Sequence, residues 1–382
     1  MTDAAASVDT VGGEGEGRPD PAVVDDPAQL TPAWFDAALG TGGNGGTGDA
    51  GAAVRRVTTE PVGTGQMAST LRAHLDLADG TTRTVVVKYA RSDVDSALAG
   101  MAYAKEVAFY VELGERVAVR TPHCHYAAIS EGLPRFVLVL EDMADAIQGD
   151  QIAGCAVDHA AAALVNLAGL HGPTWCDEGL ADATWLGGHD GVSADMMGPI
   201  LGMAADQFAE RFAAELDPVE TAALDASREL LAAWMFDRGE RFAVVHGDYR
   251  LDNLLFPVDD PAGVAAVDWQ TASMGPPGRD VAYFMSTCLE IEDRRRHERD
   301  LLATYHRALG QHGVAGYSLD DCLADYRLGM LHGPLIILLG RLTAGVTERG
   351  DEMFRAMWRR SATAIDDLGT LDLVRARIAA TS

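Results

Sequence analysis

Alternation of apolar and polar side chains predicts β-strands between residues 54 and 140. Within this segment a period of two, typical of a half-buried strand, is formed by Leu71, Ala73, Leu75 and Leu77 alternating with Arg72, His74 and Asp76. Asp79-Gly80 predicts a tight turn into the β-branched run 84–87. A helix is expected from about Ala97 to Glu115, followed by two further strands, the second at 136–140.

Helical periodicity dominates from Cys155 onward. Two sequence patterns that favour helix starts, capping boxes, occur at Asp217–Glu220 and at Ser318–Asp321. The longest apolar run, 328–342, is interrupted by polar residues and proline and is shorter than the roughly 18 residues that suggest a membrane span. We therefore interpret it as a pair of buried helices.

The N-terminal segment differs in composition from the rest. Residues 1–27 are rich in Gly, Ala, Asp and Glu without periodicity, so we expect a disordered tail. Residues 28–52 are expected to form a short helix, capped by Thr31 and opened by Pro32, and then a glycine-rich connector.

The order of elements predicts an α+β fold with two lobes and a cleft between them. Residues 53–143 are expected to form the first lobe, a small antiparallel sheet with one main helix. Residues 144–382 are expected to form a larger, mostly helical second lobe.

Composition and charge exclude several classes of partner. The chain has 382 residues, 48% of them apolar, which is enough for a sizeable core. Fifty-seven acidic against thirty basic residues give a formal charge of −27, and this argues against a nucleic-acid or anionic-membrane surface. Five scattered cysteines without a C-x-x-C pair, and an N-terminus without a signal-peptide pattern, favour a reducing cytosol.

A group of oxygen-bearing side chains lies between Val244 and Trp269. Asp248 precedes Asn253 by five positions within HGDYRLDN, and Asp268 follows a short apolar run. The apolar runs around them predict a strand, loop, strand, turn and strand, which would form two adjoining hairpins and bring the three side chains together. Protein-kinase catalytic loops have the same five-residue offset between the catalytic Asp and a metal-binding Asn. Phosphoryl transfer needs a carboxylate at the acceptor hydroxyl and oxygen ligands for the metal. The alternative is a polar surface hairpin in which these residues only close turns.

The N-terminal half contains candidate phosphate-binding groups. Gly63, Gly65 and Ser69 lie between two predicted strands, where backbone N–H groups can approach phosphate oxygens. Lys88 ends a β-branched strand, and Glu106 lies eighteen residues later on the apolar face of the predicted helix. Because a carboxylate on such a face needs a partner, we expect a Lys88–Glu106 ion pair. The alternative places Glu106 in solvent beside Lys105.

These motifs together resemble those of the aminoglycoside phosphotransferase and choline kinase superfamily, over roughly residues 54–370. HGDYRLDN, AVDWQTASMGPPGRDVAYF and LVLEDM at 138–143 resemble most closely the ecdysteroid kinase-like branch. The resemblance implies that Asp248 orients the acceptor hydroxyl and that Asn253 and Asp268 are Mg²⁺ ligands. It also implies that Lys88 and Glu106 position phosphates and that residues 63–69 form the phosphate loop.

The resemblance further implies a two-lobed protein-kinase-like fold, in which 53–143 is the nucleotide-binding N-lobe and 144–382 is the C-lobe with the catalytic loop and the acceptor site. It implies an ATP-dependent kinase acting on a small-molecule hydroxyl. Backbone groups near Glu141 and Met143 are expected to contact adenine, and His246, Asp280 and His171 to brace the catalytic loop. A regulatory pseudokinase and a metal-dependent phosphohydrolase are the alternatives. His123 and His125 also suggest a metal site, but no third ligand lies nearby in the sequence. The acceptor and the oligomeric state stay open.

Overall fold

The computed structural model describes residues 21–41, 52–63, 68–91, 97–130, 135–180, 182–187, 192–237, 239–343 and 345–381. These residues form two compact units. The first takes the described residues up to Arg116 together with Thr121–Ala144 and Asp268–Thr271; the second takes Val117–Arg120, Asp145–Val267 and the chain from Ala272 onward. Most of the predicted tail (1–20) and most of the glycine-rich connector (42–51) lie outside the described residues.

The first unit is built on a five-stranded antiparallel sheet in the order β1-β2-β3-β5-β4. The predicted turn at Asp79-Gly80 is confirmed, with Gly80 at φ +86° and the Thr81 N–H donating to Asp79 Oδ1 at 2.9 Å. The strands are β1 Val54–Pro61, β2 Ala68–Leu77, β3 Thr82–Ala90, β4 Cys124–Ile129 and β5 Phe136–Glu141.

One face of this sheet is covered by helix α1, Pro32–Ala38. The Thr31 hydroxyl accepts a hydrogen bond from the Trp34 N–H, so the predicted N-cap is confirmed. Trp34 and Phe35 pack in one apolar core with every second residue of β3, namely Val85, Val87 and Tyr89. Because strand side chains alternate between faces, Val86 and Lys88 point to the opposite side.

Residues 21–27 differ from the predicted disordered tail. Val24 is fully buried in the same core, and Asp26 caps a 3₁₀ turn at Pro27–Gln29. The segment is fixed by hydrogen bonds that Trp34 Nε1 donates to Ala22 O and Tyr126 OH donates to Pro21 O, both at 2.9 Å. Its few apolar residues suffice because the aromatic side chains of α1 and β4 supply the rest of the contact.

The other face of the sheet is covered by helix α2, Ala97–Ala108, which continues as a π-helix over Phe109–Leu113. This agrees closely with the single helix expected there. The ring of Tyr103 stacks on that of Phe136 in β5, with centroids 4.5 Å apart. This helix therefore packs on the face of the sheet that presents Lys88.

The second unit is mainly helical, as expected. Both predicted capping boxes, at Asp217 and at Ser318, are confirmed. Every residue of helix α6 except Arg279 is buried, so α6 forms the centre of this unit. The helices are α3 Val157–His171, α4 Ala194–Phe212, α5 Pro218–Met235, α6 Gly278–Cys288, α7 Ile291–Gln311, α8 Leu319–Gly329, α9 His332–Thr343, α10 Glu348–Asp367 and α11 Thr370–Thr381.

Two small sheets of the second unit hold the segment expected to be catalytic. Their strands are β6 Ala146–Gln148, β7 Ala243–Val245, β8 Leu254–Pro257, β9 Ala265–Ala266 and β10 Ser273–Gly275. The predicted β8–β9 pairing is present. However, β7 and β8 do not form the expected hairpin, because β7 pairs with β10 and β8 lies between β6 and β9. The loop between β7 and β8 thus joins two sheets.

The apolar stretch Leu319–Thr343 has the length and composition of a membrane span. It consists of α8 and α9, and 61% of its most apolar window is buried inside the protein. The core helices of folded proteins pass the same test, so this stretch is weak evidence for a membrane span. The predicted pair of buried helices is confirmed in part: the run 328–342 holds the end of α8 and most of α9, and α9 is the more buried of the two helices.

Gly169 in α3 provides a test of the packing. A Cβ at this position would lie 2.7 Å from the backbone carbon of Ala118, too close for any side chain. We predict that Gly169→Ala lowers the free energy of unfolding by about 1–2 kcal/mol, since overpacking outweighs the gain in helix propensity. Gly202 in α4 is the control: its Cβ would meet no atom within 4 Å, so Gly202→Ala should stabilise the protein. Urea unfolding of both variants measures the difference, and equal effects would contradict the packing.

Candidate active site

Lys88 lies between two carboxylates in the first unit. Its Nζ donates to Glu106 Oε1 at 2.7 Å and to Asp268 Oδ1 at 3.1 Å. Strand β3 supplies the lysine, α2 supplies Glu106, and the short segment 268–271 supplies Asp268. The predicted Lys88–Glu106 ion pair is therefore confirmed, and the alternative with Glu106 in solvent is wrong.

The electrostatics keep Lys88 charged. Burial alone would lower the pKa of Lys88, but the carboxylates of Asp268 and Glu106 outweigh it and hold this pKa above its ordinary value. Only 16% of the Lys88 side chain is exposed, and Glu106 is buried. A buried ammonium held by two acids is a fixed point charge, the type of group that binds phosphate oxygens.

Asp268 has a strained backbone. Its φ of +69° lies in the left-handed region, which side chains other than glycine seldom adopt. The 3₁₀ turn Trp269–Thr271 follows at once, and the Trp269 ring stacks on Phe109 of the first unit with centroids 3.6 Å apart. This stacking fixes the turn on the π-helix and so maintains the strained position. Such strain is concentrated at functional sites.

The other nucleotide-binding candidates lie at the ends of strands in the first unit. Gly63 has a φ of +72°, which favours glycine, and Ser69 lies in β2 opposite Tyr89. Gly65 lies outside the described residues. The Glu141 N–H donates to His123 O at 2.8 Å, whereas Met143 N–H has no hydrogen bond within the described chain. Met143 is thus a candidate donor to adenine. The assignments of Glu141 and Met143 to nucleotide binding both stay predictions.

In the second unit, Asp280 of α6 holds the loop that contains Asp248. Its Oδ2 accepts the His246 N–H at 2.6 Å and its Oδ1 accepts the Gly247 N–H at 3.0 Å. His171 Nε2 lies 3.3 Å from Oδ2, and His171 Nδ1 bonds to the Tyr305 hydroxyl. Burial alone would raise the pKa of Asp280, but the hydrogen bond and charge of His171 outweigh it and lower this pKa. The predicted bracing by His246, Asp280 and His171 is confirmed.

Two histidines fix the loop on its other sides. His246 Nε2 donates to Val267 O at 3.1 Å, and its Nδ1 accepts the Asp248 N–H. His332 of α9 donates through Nε2 to Gly247 O at 2.9 Å. Burial lowers the pKa of His332, so it is a neutral donor. Gly247, at φ +81°, lets the backbone turn between these contacts.

Asp248 and Asn253 contact each other directly. The Asn253 amide Nδ2 donates to Asp248 O at 2.9 Å and to Asp248 Oδ2 at 3.0 Å. Both amide hydrogens are thereby used, and the amide oxygen Oδ1 is left as the atom able to bind a cation. The predicted five-residue offset thus places the two side chains side by side.

The sequence did not single out two other side chains that contact Asp248. Arg250 Nε donates to Asp248 Oδ2 at 3.2 Å, and Arg250 Nη1 donates to Asp252 Oδ2 at 2.8 Å. The Tyr283 hydroxyl of α6 donates to Asp248 Oδ1 at 2.8 Å. Tyr283 is 35 positions away in the chain, so spacing could not reveal it. Arg250 lies within the motif, and its position between Asp248 and Asp252 was the signal available in the sequence.

The predicted site residues therefore form two groups, each within one unit. Lys88, Glu106 and Asp268 are together in the first unit, whereas Asp248 and Asn253 are together in the second. Within the described residues, His123 and His125 have no further His, Cys, Asp or Glu that would complete a metal site. The alternative metal site at these histidines is not supported.

Asp280→Asn tests the anchor of the loop. An amide would direct a donor at a backbone N–H, so we predict a loss of about 3 kcal/mol in unfolding free energy at neutral pH. Because folding lowers the pKa of Asp280, its contribution is complete above the unfolded value of about 4 and disappears below it. The melting-temperature difference from wild type should therefore shrink as the pH falls below about 4. The exposed Asp366→Asn is the control, and a pH-independent difference would contradict the anchor.

Comparison with known structures identifies the fold. The chain matches the GDP complex of wild-type aminoglycoside 2′-phosphotransferase-IIIa with a TM-score of 0.50 and 15% identity, over 81% of this chain and 93% of that one. The GDP complex of a mutant of the same enzyme gives a TM-score of 0.52 and 14% identity, over 83% and 94%. At these identities the likeness shows a kinase-like fold, which confirms the predicted fold class.

Two sequence comparisons are more specific. A 67-residue segment, 17% of this chain, is 39% identical to mouse Acyl-CoA dehydrogenase family member 10, and it spans only 6% of that protein. The sequence model of the ecdysteroid kinase-like family matches residues 66–314, which include Lys88, Asp248 and Asp268. The match covers more than half of the chain, which therefore belongs to the ecdysteroid kinase-like family.

Proposed function

We propose that this protein is an ATP- and Mg²⁺-dependent kinase that transfers a phosphoryl group to a hydroxyl of a small molecule. The family and the fold support the coarser statement, a small-molecule phosphotransferase. The arrangement of Lys88 supports the finer one. Its ammonium is held by Glu106 and Asp268 in the way that phosphate positioning in kinases requires.

The donor set suits Mg²⁺. This ion prefers oxygen ligands and is usually held by one or two protein groups together with substrate phosphates. Asn253 offers its amide oxygen and Asp268 offers a carboxylate, 29% of whose side chain is exposed. When bound, the ion would neutralise charge on the phosphates during transfer. We therefore assign Asn253 and Asp268 as its ligands.

The protein's own part in the reaction is orientation and proton handling. Asp248 accepts the hydrogen bond of the acceptor hydroxyl and directs its oxygen at the terminal phosphorus. A bond forms between this oxygen and phosphorus while the bond to the bridging oxygen of the nucleotide breaks. The hydroxyl proton passes to Asp248 and ADP leaves. Lys88 stabilises negative charge on the phosphates throughout.

The alternative functions have less support. A pseudokinase would lack at least one of Lys88, Asp248, Asn253 and Asp268, and all four are present. A metal-dependent phosphohydrolase would need several converging metal ligands. In the part of the chain that the structure describes, no group of three or more His, Cys, Asp or Glu side chains could hold a metal ion.

Nucleotide release with a panel of hydroxyl compounds tests the proposal directly. We expect ADP to form only when a suitable acceptor is present. Both aminoglycoside 2′-phosphotransferase-IIIa complexes contain GDP, so GTP should be compared with ATP as the donor. Equal ADP formation with and without any acceptor would favour a hydrolase instead.

Asp268→Asn tests the metal ligand. Asparagine tolerates the left-handed backbone at this position, so the fold should persist. We predict that kcat falls at least about a hundredfold because a charged metal ligand is lost. The exposed Asp259→Asn should keep wild-type turnover, which controls for the general effect of a lost charge. Near-normal kcat in Asp268→Asn, measured at saturating Mg²⁺, would remove Asp268 from the site.

Lys88→Arg tests the phosphate-positioning ammonium. A guanidinium keeps the charge but is larger and planar, so it cannot occupy the same position between Glu106 and Asp268. We predict a fall in kcat/KM for ATP of about a hundredfold. The chain contains one other lysine, Lys105, and Lys105→Arg is the matched control. If both variants turn over like wild type, Lys88 has no role in phosphate binding.

A further inference from the structure

The hydrogen bonds of Asp248 determine which of its oxygens can receive the acceptor. Oδ2 accepts two hydrogen bonds, from Asn253 Nδ2 at 3.0 Å and from Arg250 Nε at 3.2 Å. Oδ1 accepts one, from the Tyr283 hydroxyl at 2.8 Å. An ionised carboxylate has about four acceptor sites, two on each oxygen. Oδ2 is therefore saturated, and one acceptor site remains on Oδ1.

The side chain of Tyr283 is held rigidly beneath Asp248. Tyr283 has an exposed fraction of 0%, so it does not meet a substrate that arrives from solvent. Its ring packs edge-on against His332, with centroids 5.4 Å apart and planes at 83°, and His332 is itself bonded to Gly247. Burial raises the pKa of Tyr283 well above its usual value, so the phenol stays a donor.

We propose that Tyr283 is a positioning residue for phosphoryl transfer, and that it acts by fixing Asp248 so that the remaining acceptor site of Oδ1 faces the substrate hydroxyl. This inference rests on the proposed function and extends it. Arg250 and Asn253 hold one oxygen of the carboxylate, and Tyr283 holds the other. With both oxygens held, the carboxylate cannot rotate, and the direction of the acceptor hydroxyl is set before it binds.

A purely structural role for the phenol is the competing explanation. Buried tyrosines generally find a hydrogen-bond partner, and Asp248 could simply be the nearest one. The second unit contains such a pair: Tyr326 of α8 is fully buried and donates to Glu298 Oε2, also at 2.8 Å. Because residue type, burial, partner type and distance match, Tyr326→Phe is the control for loss of a buried phenol.

The first experiment compares Tyr283→Phe with Tyr326→Phe. Phenylalanine keeps the ring and its packing on His332 and removes only the hydrogen bond. Losing a hydrogen bond to a charged group should lower kcat for the acceptor reaction about tenfold to a hundredfold. The KM for ATP should change less than about twofold, because the nucleotide groups are untouched. Tyr326→Phe should keep wild-type kcat. Equal kcat values in the two variants would overturn the inference.

The second experiment is a double-mutant cycle with Asp248→Asn, followed as single-turnover phosphoryl transfer. If Tyr283 acts only through Asp248, adding Tyr283→Phe to Asp248→Asn should cause little further loss. If the phenol is merely structural, the fold-loss in rate caused by Tyr283→Phe should multiply with the fold-loss caused by Asp248→Asn. A failure of the proposed function itself would give a different result, because the wild-type protein would then transfer no phosphate to any hydroxyl compound. Wild-type transfer together with multiplying losses would overturn the role of Tyr283 alone.

Discussion

One buried carboxylate, Asp280, is the constraint on which the catalytic loop depends. It accepts two consecutive backbone N–H groups, of His246 and Gly247, and so determines the direction in which the chain leaves β7. Loss of this anchor would leave two buried donors unsatisfied, which costs far more than one surface hydrogen bond. Helix α6 supplies both Asp280 and, one turn later, Tyr283. The central helix of the second unit therefore positions the loop backbone and the carboxylate of Asp248, the proposed catalytic group, together.

In the first unit, the fixed charge on which the candidate phosphate site depends is that of Lys88. In a chain with a formal charge of −27, a phosphate site needs a fixed local cation, and Lys88 is one of only two lysines. Two acids stabilise its ammonium, and the strained backbone of Asp268 brings the second of them into contact. The same carboxylate is proposed as a metal ligand, so one residue would link lysine and metal. This shared use gives a physical reason for the strain at Asp268.

The sequence predicted correctly those features that depend on spacing or patterning over short stretches of the chain. The offset of Asp248 and Asn253, the partner of Lys88 and the helix caps at Asp217 and Ser318 all follow from short-range rules. Contacts formed only by folding could not be read in the same way. Tyr283 reaches Asp248 across 35 positions, and β7 pairs with β10, 28 or more positions away, rather than with the nearby β8. The order of residues 21–27 was missed because their contacts are with aromatic side chains elsewhere in the first unit.

The central claim is that the Lys88 group and the Asp248 group act on one magnesium-bound triphosphate. A crystal structure with Mg²⁺ and a non-hydrolysable ATP analogue measures this most directly. We predict that Asn253 Oδ1 and an Asp268 carboxylate oxygen bind the ion at about 2.1 Å, with Lys88 Nζ on phosphate oxygens. A nucleotide bound without these three contacts, or with its terminal phosphate far from Asp248, would contradict the claim.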